Sequence, residues 1–215
     1  MSTREKNTKQ RILTEALSLF AVKGYEPVTV AEIASAVGIK APSLYKHYKS
    51  KQEIFEAIFA EMETRYEQQS ASMQLDGKNA GNDKDYYTNM SEERLVEIGK
   101  GLFLFFLHDE HTSKIRKIIT IEQYNNPTLS ALNAKRFIDD SLSYQETLFG
   151  MLVKTGIFID ENPKVMALHF YSPMYLLMSL CDCHPDREDE VLQMIEQHIR
   201  QFNRLYGKER GSNEV

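Results

Sequence analysis

Residues 29–55 read TVAEIASAVGIKAPSLYKHYKSKQEIF, and this stretch decides the fold. Thr29 and Glu32 form a capping box, which predicts a helix that Gly38 ends after barely two turns. Pro42 suits an early position in a second short helix. Because helices this short are marginal alone in water, they are expected to pack on a preceding helix. The pattern is typical of a helix-turn-helix, whose second helix enters the major groove of DNA.

Helical periodicity continues on both sides of this stretch. Apolar residues before it recur at the spacing of one helix face, and Gly24 is expected to end that first helix. After it, Ser50 and Glu53 form another capping box, which predicts a long fourth helix. The apolar face of the first helix consists of Ile12, Leu13, Ala16, Leu17, Phe20 and Ala21.

The charge of the chain is divided unevenly. Its 215 residues carry a formal net charge of −5, yet residues 1–51, here called the head, hold nine Lys or Arg and four Glu. A basic head on an acidic body indicates that only the head meets nucleic-acid phosphates. Arg4, Lys6 and Lys9 fit either an arm that reaches the minor groove or a solvated, disordered tail.

The second short helix is predicted to present polar side chains outward. Leu44 and Tyr48 lie four residues apart and are expected to face the core, with the helix ending near Tyr48. Hydroxyl, ammonium and imidazole groups can reach phosphates or base edges. The side chains left on the outside are Ser43, Tyr45, Lys46 and His47.

The same stretch resembles the DNA-binding motif of the TetR family of transcriptional regulators. The resemblance covers about residues 8–62 without an insertion and implies an N-terminal three-helix bundle followed by a larger helical domain. It implies that Thr29 caps the second helix beside a phosphate and that Lys51 meets a phosphate. It also places Ser43, Tyr45 and His47 on the recognition helix. The matching positions are Thr29, Ile33, Ala34, Gly38, Leu44, Tyr45, His47, Tyr48 and Lys51.

Two residues depart from the pattern that the family commonly shows. Lys40 stands where a Ser is usual, and it removes the side-chain cap of the recognition helix. Pro42 stands where a Gly is usual; it fixes φ but lacks the backbone N–H that could bind a phosphate. Base specificity is therefore not transferable from a relative. The predicted DNA contacts are Thr29, Lys40, Ser43, Tyr45, Lys46, His47 and Lys51.

The remaining sequence contains no credible strand, so the predicted fold class is all-α with about nine helices. Residues 74–90 lack an apolar period and are rich in Gly, Asp and Asn, which predicts a loop. Three segments are expected. They are a helix-turn-helix domain over residues 1–50, a helical ligand-binding and dimerisation domain over 51–207, and a disordered tail over 208–215.

The last two predicted helices are candidates for a homodimer surface. Residues 164–180 are apolar on more than one face, and residues 187–206 carry an apolar stripe. Two copies of each helix would form a four-helix interface, as the resemblance also implies, and a dimer would match a palindromic operator. Pro173 is expected to kink its helix, which either admits a ligand or shapes the interface.

In TetR-type proteins the body binds a small effector, so the resemblance implies an unidentified organic ligand here. Aromatic side chains with a few polar handles are the usual lining of such a pocket. The alternative is that most of these residues are simply core. The candidates, taken as a group, are Phe106, Tyr124, Tyr144 and His169.

Metal and redox chemistry have weaker support. The run Cys181–His184 (CDCH) offers three donors without an obvious fourth, so a partly exposed thiol pair is the alternative to a metal site. His108 and His111 form a weak second pair. No metal or cofactor is expected, and no GxSxG, P-loop, HExxH or dinucleotide motif predicts an enzyme.

Localisation is predicted from what the sequence lacks. Two cysteines fit a reducing cytoplasm, no signal peptide is visible, and the uncharged run 165–181 is too short and polar for a membrane span. The leading hypothesis is a cytoplasmic, ligand-released repressor that binds double-stranded DNA, with activation left open. The competing hypotheses are a helical metal-dependent enzyme and a protein-interaction module without specific DNA binding.

Overall fold

A computed structural model describes residues 3–208, with side chains from residue 7 onward. This part of the chain is helical, and its β pairing is limited to one isolated antiparallel bridge between Phe158 and Gly207. The all-α prediction is therefore confirmed. None of the helices within these residues combines the length and hydropathy that a membrane span requires.

The helices follow one another with short connections. A π-helical turn, Lys135–Asp139, joins α8 to α9 without a break, so these residues hold ten helices when that run is counted once. The bounds are α1 (Thr3–Lys23), α2 (Val30–Val37), α3 (Ala41–Leu44), α4 (Lys51–Ser72), α5 (Ala80–Asn89), α6 (Glu92–His108), α7 (Glu110–Glu122), α8 (Pro127–Ala134), α9 (Asp140–Lys154), α10 (Pro163–Cys183) and α11 (Glu188–Tyr206).

Helix α5 corrects the loop predicted over residues 74–90. The Asn79 side chain caps it by accepting a hydrogen bond from the Gly81 N–H at 3.0 Å. Asp83, which is 2% exposed, accepts the N–H groups of Asp76 and Gly77 and the hydroxyl of Tyr144. Buried polar contacts therefore order a segment that has no apolar period, which is the signal that sequence reasoning uses.

The end of the chain is ordered as far as it is described. The Lys208 N–H donates to the Ile157 carbonyl at 2.9 Å, and the Ile159 N–H donates to the Tyr206 carbonyl at 2.8 Å. Lys208 therefore does not belong to a disordered tail. The rest of the predicted tail, residues 209–215, lies outside the described residues.

The chain divides into two compact units. The first unit comprises the described residues through Tyr66 together with His108–Asn133, and the second comprises Glu67–Leu107 together with the residues from Ala134 onward. The unit that holds the helix-turn-helix therefore extends beyond residue 50 and includes α7. The functional boundaries predicted at residues 50 and 207 stay predictions.

Each unit has its own core. In the first unit, Phe20 lies against Tyr25 and Phe55 with ring centroids 5.2 and 5.9 Å away. These rings hold α1 against the start of α4. In the second unit the apolar stripe predicted on the last helix is buried at four of its positions, which are Val191, Ile195, Ile199 and Phe202.

Candidate nucleic-acid interface

The second helix begins with the predicted capping box. The Thr29 hydroxyl accepts the Glu32 N–H at 3.2 Å, and the Glu32 carboxylate accepts the Thr29 N–H at 2.8 Å. Glu32 also forms an ion pair with Lys23 at 2.8 Å. The hydrogen bond from Lys23, together with those from Thr29, lowers the pKa of Glu32 to about 2. The exposed Thr29 is thus fixed at the N-terminus of α2.

A tight turn redirects the chain from α2 into α3. Gly38 has φ of 76°, and the Ile39 N–H reaches back to the Ala34 carbonyl at 2.9 Å. This left-handed closure satisfies carbonyls at the helix end, and glycine adopts it without steric cost. The Arg11 guanidinium donates to the Val37 carbonyl and so ties α1 to the same turn.

The recognition segment is less regular than predicted. Helix α3 ends at Leu44 rather than near Tyr48, and the residues between them form turns. The turn that follows α3 is closed by a hydrogen bond from the His47 N–H to the Leu44 carbonyl at 2.8 Å. Lys40 precedes α3 with extended backbone and no side-chain cap, as expected where a lysine replaces a capping residue.

The inward and outward faces of this segment are as predicted. Leu44 is completely buried and Tyr48 is 7% exposed, whereas Tyr45 is 53% exposed. Lys46 is exposed, and Ser43 and His47 are half-buried. Two buried anchors therefore hold the segment while its polar side chains stay available to a partner.

The basic residues around the segment differ in their surroundings. Lys40 and Lys46 are exposed, and among the side chains described neither is held in an ion pair. Lys9 lies within α1, with its ammonium 5.4 Å from the centre of the Tyr48 ring, so it belongs to neither an arm nor a tail. The side chains of Arg4 and Lys6 lie outside the described residues.

Lys51 is engaged inside the head. It is the first residue of α4, and its ammonium donates to the carbonyls of Tyr25 and Glu26, both at 2.9 Å. The same ammonium lies 4.3 Å from the centre of the Tyr25 ring. Lysine has three N–H donors, so two of them are used here.

The profile of the family described as "Bacterial regulatory proteins, tetR family" matches residues 12–58. The match covers most of α1, all of α2 and α3, and the beginning of α4. Residues 12–58 are a TetR-family domain. The capped helix, the glycine turn and the exposed recognition segment are therefore the parts of a TetR-family helix-turn-helix.

Curated relatives extend the match to named proteins. The chain is 45% identical over 47 residues to IcaR of Staphylococcus epidermidis, described as a negative transcriptional regulator of the biofilm operon icaADBC. That match covers 22% of this chain and 25% of IcaR. The chain therefore matches about a quarter of the length of these curated relatives.

Solved structures that are similar in fold cover most of the length of this chain. The complex of SmeT with triclosan has a TM-score of 0.72 at 19% identity, covering 97% of this chain and 98% of SmeT. SmeT is described as the repressor of the Stenotrophomonas maltophilia multidrug efflux pump SmeDEF. MexZ of Pseudomonas aeruginosa has a TM-score of 0.73 at 15% identity, covering 95% and 97% of the two chains.

The four predicted ligand contacts lie in different surroundings. Phe106 is half-buried beside Phe105, and Tyr124, in the first unit, is 84% exposed. In the second unit the Tyr144 hydroxyl donates to Asp83 at 2.6 Å, and Nδ1 of the exposed His169 lies 2.9 Å from the Tyr206 hydroxyl. Tyr144 and His169 thus each have a protein partner, and a shared ligand stays a prediction for all four.

A shallow depression of about 640 Å³ lies in the second unit beside α9 and the start of α10. Its lining includes Glu146, Lys154 and Asp160 and none of the predicted ligand residues. Of the two cysteines, Cys181 is buried and Cys183 is exposed, and they form no disulfide. Among the side chains described, those of residues 7–208, no group of three or more His, Cys, Asp or Glu is arranged to hold a metal ion.

Two residues that contact the head were not predicted from the sequence. Glu122 and Asn126 reach the segment between α1 and α2 from α7 and the turn after it. Asn126 also caps α8, because its side-chain oxygen accepts the N–H groups of Thr128 and Leu129 at 3.0 and 3.1 Å. Nothing in the local sequence around Glu122 indicates a contact to a residue 97 positions away.

Proposed function

We propose that this protein is a DNA-binding transcriptional regulator, and specifically a repressor that a small organic ligand releases from DNA. The observation that carries the proposal is the TetR-family domain over residues 12–58 with an exposed recognition segment. Leu44 and Tyr48 anchor that segment in the core, so Tyr45 and the neighbouring polar side chains can be presented to the major groove without unfolding.

The proposed DNA contacts follow from exposure and charge. The Tyr45 hydroxyl and the His47 imidazole are suited to base edges, while Lys40 and Lys46 are suited to phosphates. Thr29 lies at the start of α2, where backbone N–H groups favour an anion, and the Ser43 hydroxyl lies in the recognition segment beside Tyr45. Lys51 is not among these proposed contacts, because its ammonium binds carbonyls within the protein.

A dimer is part of the proposal, because a single helix-turn-helix reads only a few base pairs. Helix α10 exposes an apolar stripe at Val165, Leu168 and Leu176, which are 58%, 54% and 68% exposed. Leu205 on α11 is 50% exposed. A second copy of the same surface would cover these side chains and provide two heads for a palindromic operator.

The ligand is proposed as a small, largely apolar organic molecule. SmeT, which shares the fold, is named in a complex with triclosan. Aromatic residues of the second unit, among them Phe106 and Tyr144, supply the chemistry for such a ligand, and His169 adds a polar handle. A cytoplasmic location is part of the same proposal, because DNA is the proposed partner.

The proposal is tested by selection from a pool of randomised DNA duplexes. The wild-type protein is expected to enrich a palindromic sequence, and anisotropy titration of that duplex should show binding that weakens as salt rises. A pool that stays random through repeated rounds would reject specific DNA binding and favour the protein-interaction hypothesis.

A further inference from the structure

The connector between α1 and α2, Gly24–Pro27, is held by side chains from other helices. From α4, Lys51 binds the carbonyls of Tyr25 and Glu26 and covers the Tyr25 ring. That ring is buried against Phe20 and Phe55, so the lysine ammonium lies over a ring that is held in place by packing. Burial also raises the pKa of Tyr25, which keeps the phenol neutral beneath the ammonium.

Contacts from the α7 side hold the same connector. The carboxylate of Glu122, the last residue of α7, accepts the Tyr25 N–H at 2.8 Å and is 7% exposed. Just beyond it, the Asn126 amide donates to the Glu26 carboxylate at 2.6 Å. The backbone of Tyr25 is therefore bound at its N–H by α7 and at its carbonyl by α4.

Helix α7 is itself fixed to α4 near its own beginning. Nε2 of His111 lies 2.9 Å from the Ile58 carbonyl, and Asp109 pairs with Arg65 at 3.0 Å. His111 is 9% exposed, so this link is shielded from water. All of these contacts lie within the first unit. Helix α7 therefore contacts the middle of α4 at its beginning and the connector at its end.

We propose that Lys51 and Glu122 position the helix-turn-helix by holding this connector, and that Lys51 acts there and not at a DNA phosphate. Moving the ammonium to a phosphate would strip the Tyr25 and Glu26 carbonyls of a charged donor, at a cost in hydrogen bonding. Connector and α2 are adjacent in the chain, so a displaced connector would shift Thr29 and the turn that follows. The inference rests on the proposed DNA binding and adds α7 to the machinery that orients the head.

Salt dependence distinguishes a positioning lysine from a phosphate contact. On the duplex selected by the wild-type protein, Lys51→Gln is expected to weaken binding while the slope of log Kd against log salt stays unchanged. Lys46→Gln, at the proposed phosphate contact, should reduce that slope by about 0.9 per subunit. A slope reduced equally in both variants would overturn the proposal for Lys51.

Glu122 is tested by removing its acceptor and then restoring it. Glu122→Leu should speed hydrogen exchange at the Tyr25 amide and weaken DNA binding at equal concentrations of folded protein, again without a change of slope. Glu122→Gln keeps an acceptor oxygen and should restore both. If the leucine variant does not fold, Asn126→Ala replaces it, with faster exchange expected in the connector.

The outcomes separate this inference from the proposed function. Unchanged exchange at Tyr25 in Glu122→Leu, or unchanged connector exchange in Asn126→Ala, would overturn the positioning role whether or not DNA binds. Failure of the wild-type protein to select any duplex would instead reject the DNA-binding proposal, while the exchange measurements would still decide whether the connector is held.

Discussion

A Cβ atom on Gly24 would lie 2.7 Å from Oε1 of Glu122, although the two residues are far apart in the chain. Gly24 also has φ of 83°, a left-handed conformation that side chains rarely adopt. Glycine is therefore favoured here for two independent reasons. It ends α1 in a left-handed turn, and it leaves room for the carboxylate that accepts the Tyr25 N–H.

The first prediction concerns Gly24→Ala. The left-handed conformation should cost about 1 kcal/mol, and displacing the Glu122 carboxylate should add about 1–2 kcal/mol. Urea unfolding should therefore show a loss of about 2–3 kcal/mol. Gly38→Ala is the matched control, because Gly38 has φ of 76° but nothing within 4 Å of the added Cβ. Equal losses in the two variants would contradict the steric role of Glu122.

The second prediction concerns the recognition segment. Replacing both Tyr45 and His47 by Ala should weaken binding to the selected duplex by at least about 10-fold, because specific base contacts contribute about 1–3 kcal/mol each. The fold should persist, since neither side chain belongs to the buried core. Circular dichroism and anisotropy titration measure the two effects. Val22→Ala, at a side chain of α1 that is 85% exposed, is the control and should bind like wild type.

The third prediction concerns the pH dependence of stability. The pKa of Glu32 is lowered to about 2, so the folded state keeps this carboxylate charged in acid that protonates the unfolded chain. The stabilisation is fully present above the ordinary pKa of 4.5 and is lost as pH falls towards about 2. Because Glu32 is solvent-exposed, the effect should shrink in high salt.

Unfolding curves collected across this acid range should show a weaker pH dependence for Glu32→Gln than for wild type. Glu146→Gln, at an exposed carboxylate of α9, is the control for a change of charge alone. A pH dependence that Glu32→Gln leaves untouched would mean that the capping box and the Lys23 ion pair do not stabilise the folded state.

The sequence predicted the features that depend on interactions between residues close together in the chain. Thr29 and Glu32 lie three residues apart and cap each other, and Gly24 and Gly38 adopt the left-handed turns expected of helix-ending glycines. The burial of Leu44 also followed from helical spacing. These features depend on neighbours within a turn or two, so sequence patterns report them directly.

Long-range polar contacts explain what was missed. Helix α5 is ordered around Asp83, whose Tyr144 partner is 61 residues away, and its own residues carry no apolar period. The Glu122 contact spans 97 residues. Lys51 matched a family position, but its hydrogen bond to Tyr25 depends on how the connector after α1 packs against α4. A single sequence contains no signal for such pairs, because each partner looks like an ordinary surface residue on its own.

The last prediction concerns the dimer. Leu176 is 68% exposed on α10. Full burial of a leucine side chain by a partner stabilises the complex by about 1.5–3 kcal/mol. Leu176→Glu would instead place an unpaired charge in the proposed interface, so sedimentation equilibrium should show a shift from dimer to monomer. DNA binding should weaken with it, because one head reads half of a palindrome. Ile121→Glu is the control, since Ile121 is 66% exposed on α7 in the first unit. If Leu176→Glu stays dimeric while Ile121→Glu dissociates, the dimer interface does not lie on α10 and the prediction is contradicted.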